Sequence, residues 1–310
     1  MTQSPAETSL ITFLDHYGHL RHPFGEEQSI PDLSTLSIKS DVVQDALQSY
    51  RSFHAAPLEY IAAGIWPVDA SPAQTGYGSN SSLLLDQATK ILVNTSRCSC
   101  PDYGAAEAEE LPAGSGSWSG CFGIGQFHHA HIKFLNSPPS FLTPVFDTIW
   151  QRVVDAYAEI GLLFTKVPAD DFANIEVTFT ELGGSTIGLA IVGSGEGCQD
   201  TIWAKFAPSY KPANTVSEWT TLIKHELGHN CGLQHSNGGV MNPYIMAGLP
   251  VSWKNDPSFP LLSQRFGGKQ IPQAPPTSRS LVLAWQNGDG SFEVIKTYNT
   301  TSPPGGVFPS

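Results

Sequence analysis

One run of eleven residues constrains this chain more than any other: His225-Glu226-Leu227-Gly228-His229-Asn230-Cys231-Gly232-Leu233-Gln234-His235. Positions four apart lie on one face of an α-helix, so His225 and His229 can present two imidazoles to a single ion. Glu226 lies one step round, able to reach a water on that ion without being a ligand itself. Gly232 can take the left-handed conformation that ends a helix, and the turn brings back His235 as a third donor. Three neutral donors leave one tetrahedral position open, which distinguishes a catalytic zinc site from a closed structural one. Fixed residues at five of these eleven positions separate the pattern from a helix that is merely rich in histidine.

The extended motif resembles that of the metzincin metalloproteases. Gly238-Gly239-Val240-Met241-Asn242-Pro243 is similar to the turn whose methionine lies beneath the zinc ligands in that clan, and Ser236 after the third histidine resembles the matrixin branch. Far upstream, Arg97-Cys98-Ser99-Cys100-Pro101-Asp102 resembles the matrixin cysteine switch, which occludes the active site of the zymogen. Thiolate is a good zinc ligand, and metal keeps it ionised. The resemblance implies that Cys98 fills the fourth position and that Arg97 and Asp102 pair to brace the loop. Two departures stand out: Ser96 replaces the usual proline, and Cys100 an apolar residue. Cys100 therefore competes with Cys98 as the sulfur that binds, and a loop disulfide is the structural alternative.

Two more stretches resemble a matrixin pro-segment: Phe13-Leu14-Asp15-His16-Tyr17-Gly18-His19-Leu20, and Leu84 to Thr89 just before the switch. Between them Val42, Val43, Ala46, Leu47 and Tyr50 recur at helical spacing. The expected architecture is a small all-α, three-helix pro-domain over residues 1–106, of a fold shared with peptidoglycan-binding modules. An α/β (α+β) metzincin-like catalytic domain with a twisted mixed sheet and a zinc-binding helix follows over 107–270, then a Pro-rich linker and β-hairpin over 271–310.

The catalytic half predicts a strand in which Ala130, Ile132 and Phe134 alternate, a helix from about 142 to 161, and strands at 175–179, 187–192 and 202–206. The motif helix is expected to start near Asn214 to Ser217, both plausible caps, and a closing helix near Phe259 to Phe266. Asn287-Gly288-Asp289-Gly290 between two apolar runs is a hairpin signal.

A net charge of −12 disfavours nucleic acid and anionic membrane as partners, and no apolar run approaches the length needed to span a bilayer. The resemblance implies export, while Met1-Thr-Gln-Ser-Pro-Ala-Glu lacks the basic start and apolar run of a signal peptide, so the compartment stays open. Of the five cysteines, Cys231 reads as a buried free thiol, and Cys121 with Cys198 as the best disulfide candidates. His128, His129 and His131 could suggest a second metal but read better as solvated strand histidines. Calcium is a further expectation of the family. Glu196 and Asp200 among glycines are candidate ligands, or the stretch is simply a loop.

The resemblance thus implies a secreted zymogen of a zinc endopeptidase acting on protein or peptide, with Glu226 as general base. Its substrate would lie extended along an edge strand, expected to be the one around Ile202 to Phe206. Pro243, Tyr244 and Ile245 would wall the specificity pocket, with the aromatic one position away from the family's Pro-x-Tyr. Two other classes fit less of the pattern: a cell-wall or matrix-associated glycan-binding protein with a relic metal site, and a metal-dependent hydrolase of non-peptide amides. An intact Glu226 argues against a relic.

Overall fold

Alternating burial draws the strands of the main sheet. Ile175, Val177 and Phe179 of β5 (Ile175–Phe179) face the core while Glu176 and Thr178 lie half-buried, as period-two side chains on a covered sheet must. A computed structural model describes residues 5–20, 32–64, 86–103, 123–124, 127–193, 201–245, 253–254, 256–266, 279–286 and 292–300.

Four short helices come first: α1 (Pro5–His16), α2 (Asp41–Phe53), α3 (Ala55–Ala62) and α4 (Gln87–Leu92). Among the described residues α3 is additional to the three helical stretches expected from the sequence, and His54, which leaves helical geometry, separates it from α2. Leu10, Ile11, Leu14, Val43, Ala46, Leu47, Tyr50 and Leu92 make a core of their own. Asp86 starts α4 by accepting the Thr89 amide at 2.9 Å.

The remaining sheet strands are β1 (Arg97–Cys98), β2 (Gly123–Ile124), β3 (Phe127–Phe134), β4 (Leu162–Lys166), β6 (Thr186–Ala190) and β7 (Ile202–Phe206). They run in the order β1-β6-β7-β5-β3-β2, with β4 also beside β3, giving a seven-stranded mixed sheet. β4 was not legible in the sequence: Leu162-Leu163-Phe164 follows the helix after a single turn and reads as its continuation.

Two helices cover the sheet. Ile149, Val153 and Tyr157 of α5 (Phe146–Ala158) and Trp219, Leu222, Ile223 and Leu227 of α6 (Thr215–Asn230) share one core with the strands. Asn214 caps α6 through the Ser217 amide at 3.4 Å. Its far end is pinned to the sheet: Asn230 Nδ2 donates to the carbonyls of Ile191 and Trp203 at 2.9 and 3.1 Å. α7 (Phe259–Phe266) closes the unit, and β8 (Arg279–Gln286) pairs with β9 (Phe292–Thr300) as an antiparallel hairpin. No helix among the described residues is long and apolar enough to cross a membrane.

The strand order corrects one expectation. β7 is an interior strand, paired to β5 on one side and β6 on the other. The strand beyond it, β6, carries β1 on its outer side in parallel register, Arg97 opposite Thr186 and Cys98 opposite Gly188. The N-terminal segment thus completes the sheet beside the motif helix.

Candidate metal centre

His225 and His229 stand one turn apart on α6, and both are fully buried. Gly232 at φ +81° reverses the chain, bringing His235 back to them. The three Nε2 atoms converge: His229 Nε2 lies 3.1 Å from that of His225 and 3.2 Å from that of His235. Each opposite ring nitrogen is committed. His225 Nδ1 donates to Val240 O at 2.7 Å, His229 Nδ1 to Leu233 O at 2.8 Å, and His235 Nδ1 to Asp102 Oδ1 at 2.9 Å. Carbonyl and carboxylate oxygens only accept, so these Nδ1 atoms carry the protons and the Nε2 lone pairs face one another.

Cys98 Sγ is the fourth donor, 3.5 Å from His229 Nε2 and grouped with all three imidazoles. The donor set fits zinc. Tetrahedral ligands with Zn–N near 2.0–2.1 Å and Zn–S near 2.3 Å place nitrogens about 3.3–3.4 Å apart and nitrogen from sulfur about 3.6 Å. The observed separations, 3.1–3.2 Å and 3.5 Å, fall close to these. One proton could relieve a single pair of facing lone pairs, whereas a cation satisfies the whole cluster.

Glu226 lies beside the cluster, with Oε2 at 3.5 Å from Cys98 Sγ and Oε1 buried without a hydrogen-bond partner. Burial pushes its carboxyl up to about 8. Room for it comes from Gly188 on β6, where a Cβ would overlap Oε1 and lie 2.6 Å from Cδ and 2.9 Å from Cγ. A glycine inside a strand pattern signals close approach of another group, so the sequence did carry this hint.

Met241 is fully buried against the motif helix, where a Cβ on Gly228 would meet its sulfur at 2.6 Å. Asp256 holds this turn by accepting the Val240 amide while its other oxygen accepts that of Ser258 at 2.9 Å. No motif marked Asp256.

The two candidate sulfurs are distinguished by position. Cys100 is also buried near Glu226 and His229, but its thiol donates to Ala190 O at 3.3 Å, whereas Cys98 Sγ joins the three imidazoles. Cys98, Cys100 and Cys231 are buried and take part in no disulfide. The segment holding Cys98 lies between two walls: Arg97 N and Ser99 N donate to Ser185 O and Gly188 O on one side, and Cys98 N donates to Pro243 O on the other.

Arg97 and Asp102 are buried together and paired through the two terminal guanidinium nitrogens, Nη1 and Nη2. The Arg97 guanidinium lies 3.6 Å over the Tyr17 ring and 4.9 Å from that of Tyr244. Asp102 Oδ2 also accepts from His19 Nε2 at 2.9 Å and His54 Nε2 at 2.8 Å. Burial alone would raise this carboxyl, but Arg97 and the three histidines hold it well below the usual carboxylate range. His19 and His54 were not singled out in the sequence, because nothing in their spacing points to residue 102.

Of the three residues expected to wall a pocket, Pro243 touches Cys98 through its carbonyl and Ile245 packs in the main core. Tyr244 belongs to the N-terminal core, its hydroxyl 2.6 Å from that of Tyr50. The strand histidines have other partners: His128 packs on Phe266, and His129 faces His131 and reaches Thr165 Oγ1. Cys121, Cys198, Glu196 and Asp200, with the disulfide and calcium expected of them, lie outside the described residues.

No family model and no curated protein matches this chain. Solved structures do, among them one described as "Structure of myroilysin", at 18% identity and a TM-score of 0.25 over 34% of this chain and 48% of that one. Another, "Crystal structure of myroilysin", matches at 18% identity and a TM-score of 0.25 over 34% of this chain and 43% of the other. The chain therefore spans less than half the length of either structure.

Proposed function

We propose that this chain is a zinc-dependent endopeptidase in its latent form, acting on protein or peptide outside the cell. The observation that carries the reading is the seat of Cys98, whose sulfur shares one buried cluster with three imidazole Nε2 atoms and lies 3.5 Å from a carboxylate oxygen. His225, His229 and His235 would hold the metal, with Cys98 as fourth ligand until the N-terminal segment leaves. Zinc bound there supplies Lewis acidity, polarising a carbonyl and lowering the pKa of water from about 15.7 to about 7.

The residues of the chain do the rest. Glu226 accepts the proton of the attacking water at its unpartnered oxygen and carries it to the leaving amine. Gly188 keeps that carboxylate against β6. The backbone of β6 and the Pro243 carbonyl, which now grip residues 97–99, offer the same hydrogen bonds to an extended peptide once the segment withdraws. Hydrolysis leaves one peptide with a new carboxylate and the other with a new amine.

The test compares the full-length chain, Cys98→Ser and Cys98→Ser/Glu226→Gln on a library of internally quenched peptides. The first should be nearly inert, the second active, and the third inert with its metal retained. A Cys98→Ser chain that binds zinc yet cleaves no peptide would overturn the endopeptidase reading. Cleavage of small amides alone would favour the non-peptide hydrolase instead.

A further inference from the structure

The three imidazoles are not supported alike. His225 and His229 donate their Nδ1 protons to Val240 O and Leu233 O, main-chain acceptors within 15 residues of each ring. His235 donates to Asp102 Oδ1, 133 residues away on the segment that carries Cys98. Asp102 is in turn fastened to the helical unit. His19 follows α1, His54 separates α2 from α3, both donate to Oδ2, and the Asp102 amide donates to Tyr17 O at 3.1 Å. The side chains of His19, His54, Asp102 and His235 are all fully buried.

We infer that Asp102 is a positioning residue for the third metal ligand, so that the N-terminal unit retains the metal as well as blocking the site. This rests on the metal-centre reading above and adds a second role for the segment. A carboxylate on the far nitrogen of a ligating imidazole fixes its tautomer and orientation and raises its basicity, and losing such a partner costs about 10–100-fold in metal affinity. Withdrawal of residues 97–102 removes the sulfur from the metal and the carboxylate from His235 in one step. The freed enzyme holds its metal less tightly than the latent form, and His235 is where the hold loosens. A chain of direct contacts, His19 and His54 to Asp102 to His235, ties metal retention to the packing of α1 and α2.

The experiment uses the full-length chain loaded with cobalt(II) and follows metal transfer to an excess of chelator. To separate the carboxylate from the sulfur, Cys98→Ser is compared with Cys98→Ser/Asp102→Asn, and Cys98→Ser/Arg97→Gln controls for a broken ion pair that leaves Asp102 in place. Release should be about 10–100-fold faster with Asp102→Asn than in its parent, and the Arg97 variant should stay close to the parent. Proton NMR of the cobalt forms gives a second readout, the exchangeable Nδ1 protons of the ligand histidines. Asp102→Asn should shift one of the three, that of His235, and leave two unchanged, a pattern that general loosening does not produce. Equal release rates with three unshifted resonances overturn the role of Asp102 while leaving the metal centre standing. A wild-type chain that takes up no cobalt overturns both.

Discussion

Gly188→Ala tests the placement of the general base without touching a ligand. The new methyl would overlap Glu226 Oε1 and lie 2.6 Å from Cδ and 2.9 Å from Cγ. Because Cδ and Cγ are crowded too, turning the carboxylate in place gives no relief. The carboxyl carbon must retreat by about 0.8 Å to reach ordinary contact at 3.4 Å. Glu226 is fully buried, so the shift is transmitted to its neighbours or to β6. Misplacing a reacting group by about 1 Å can cost roughly 100-fold in rate, about 2.7 kcal/mol of transition-state stabilisation. Overpacking of this kind typically destabilises a fold by about 1–3 kcal/mol. In the Cys98→Ser background, kcat on a quenched peptide should therefore fall about 100-fold, with KM little changed and metal content held at one equivalent. Gly238→Ala is the control, because nothing lies within 4 Å of a Cβ there. Its rate and urea midpoint should match the parent. Parental turnover from Gly188→Ala would refute the placement of Glu226 against β6.

The remaining expectations can be checked together. Glu226→Gln should keep the metal but lose about 10²–10⁴ in rate, read by peptide hydrolysis beside elemental analysis. Cys98→Ser should unmask activity whereas Cys100→Ser should not, since the Cys100 thiol is turned to Ala190 O; the opposite result would transfer the blocking role to Cys100. His54 is buried against Asp102, Arg97 and His19, and burial lowers its pKa to about 4. The folded state favours the neutral ring, so stability is full above the unfolded value near 6.5 and falls as pH drops from there toward 4, by about 3 kcal/mol from this residue. Urea unfolding at several pH values should show that slope, and His54→Gln should flatten it. Asp256→Ala should cost about 2–4 kcal/mol by orphaning the buried Val240 amide and the Ser258 amide, measured by denaturant titration.

What could be read from the sequence was local. The four-residue interval between His225 and His229, the reversal at Gly232, the cap at Asn214 and the alternation of β5 all follow from the pitch of a helix, the freedom of a glycine or the pleat of a strand. These depend on neighbours in the chain, so a single sequence contains them. The register of Arg97-Cys98-x-x-Pro101-Asp102 pointed to Cys98 through resemblance. Its position among the imidazoles, and the turn of Cys100 toward Ala190, depend on how β1 lies against β6. Strand order is set by which faces bury one another, which no local interval encodes. That is why β7 was expected at the edge and lies inside, and why β4 went unread. The same reason left unnamed the group that approaches Gly188, and hid the hold of Asp256 on the Val240 amide and the contact of Asp102 with His235 across 133 residues. Helix geometry brings two of the imidazoles together; only the folded sheet, with the N-terminal core packed against it, decides what supports the third.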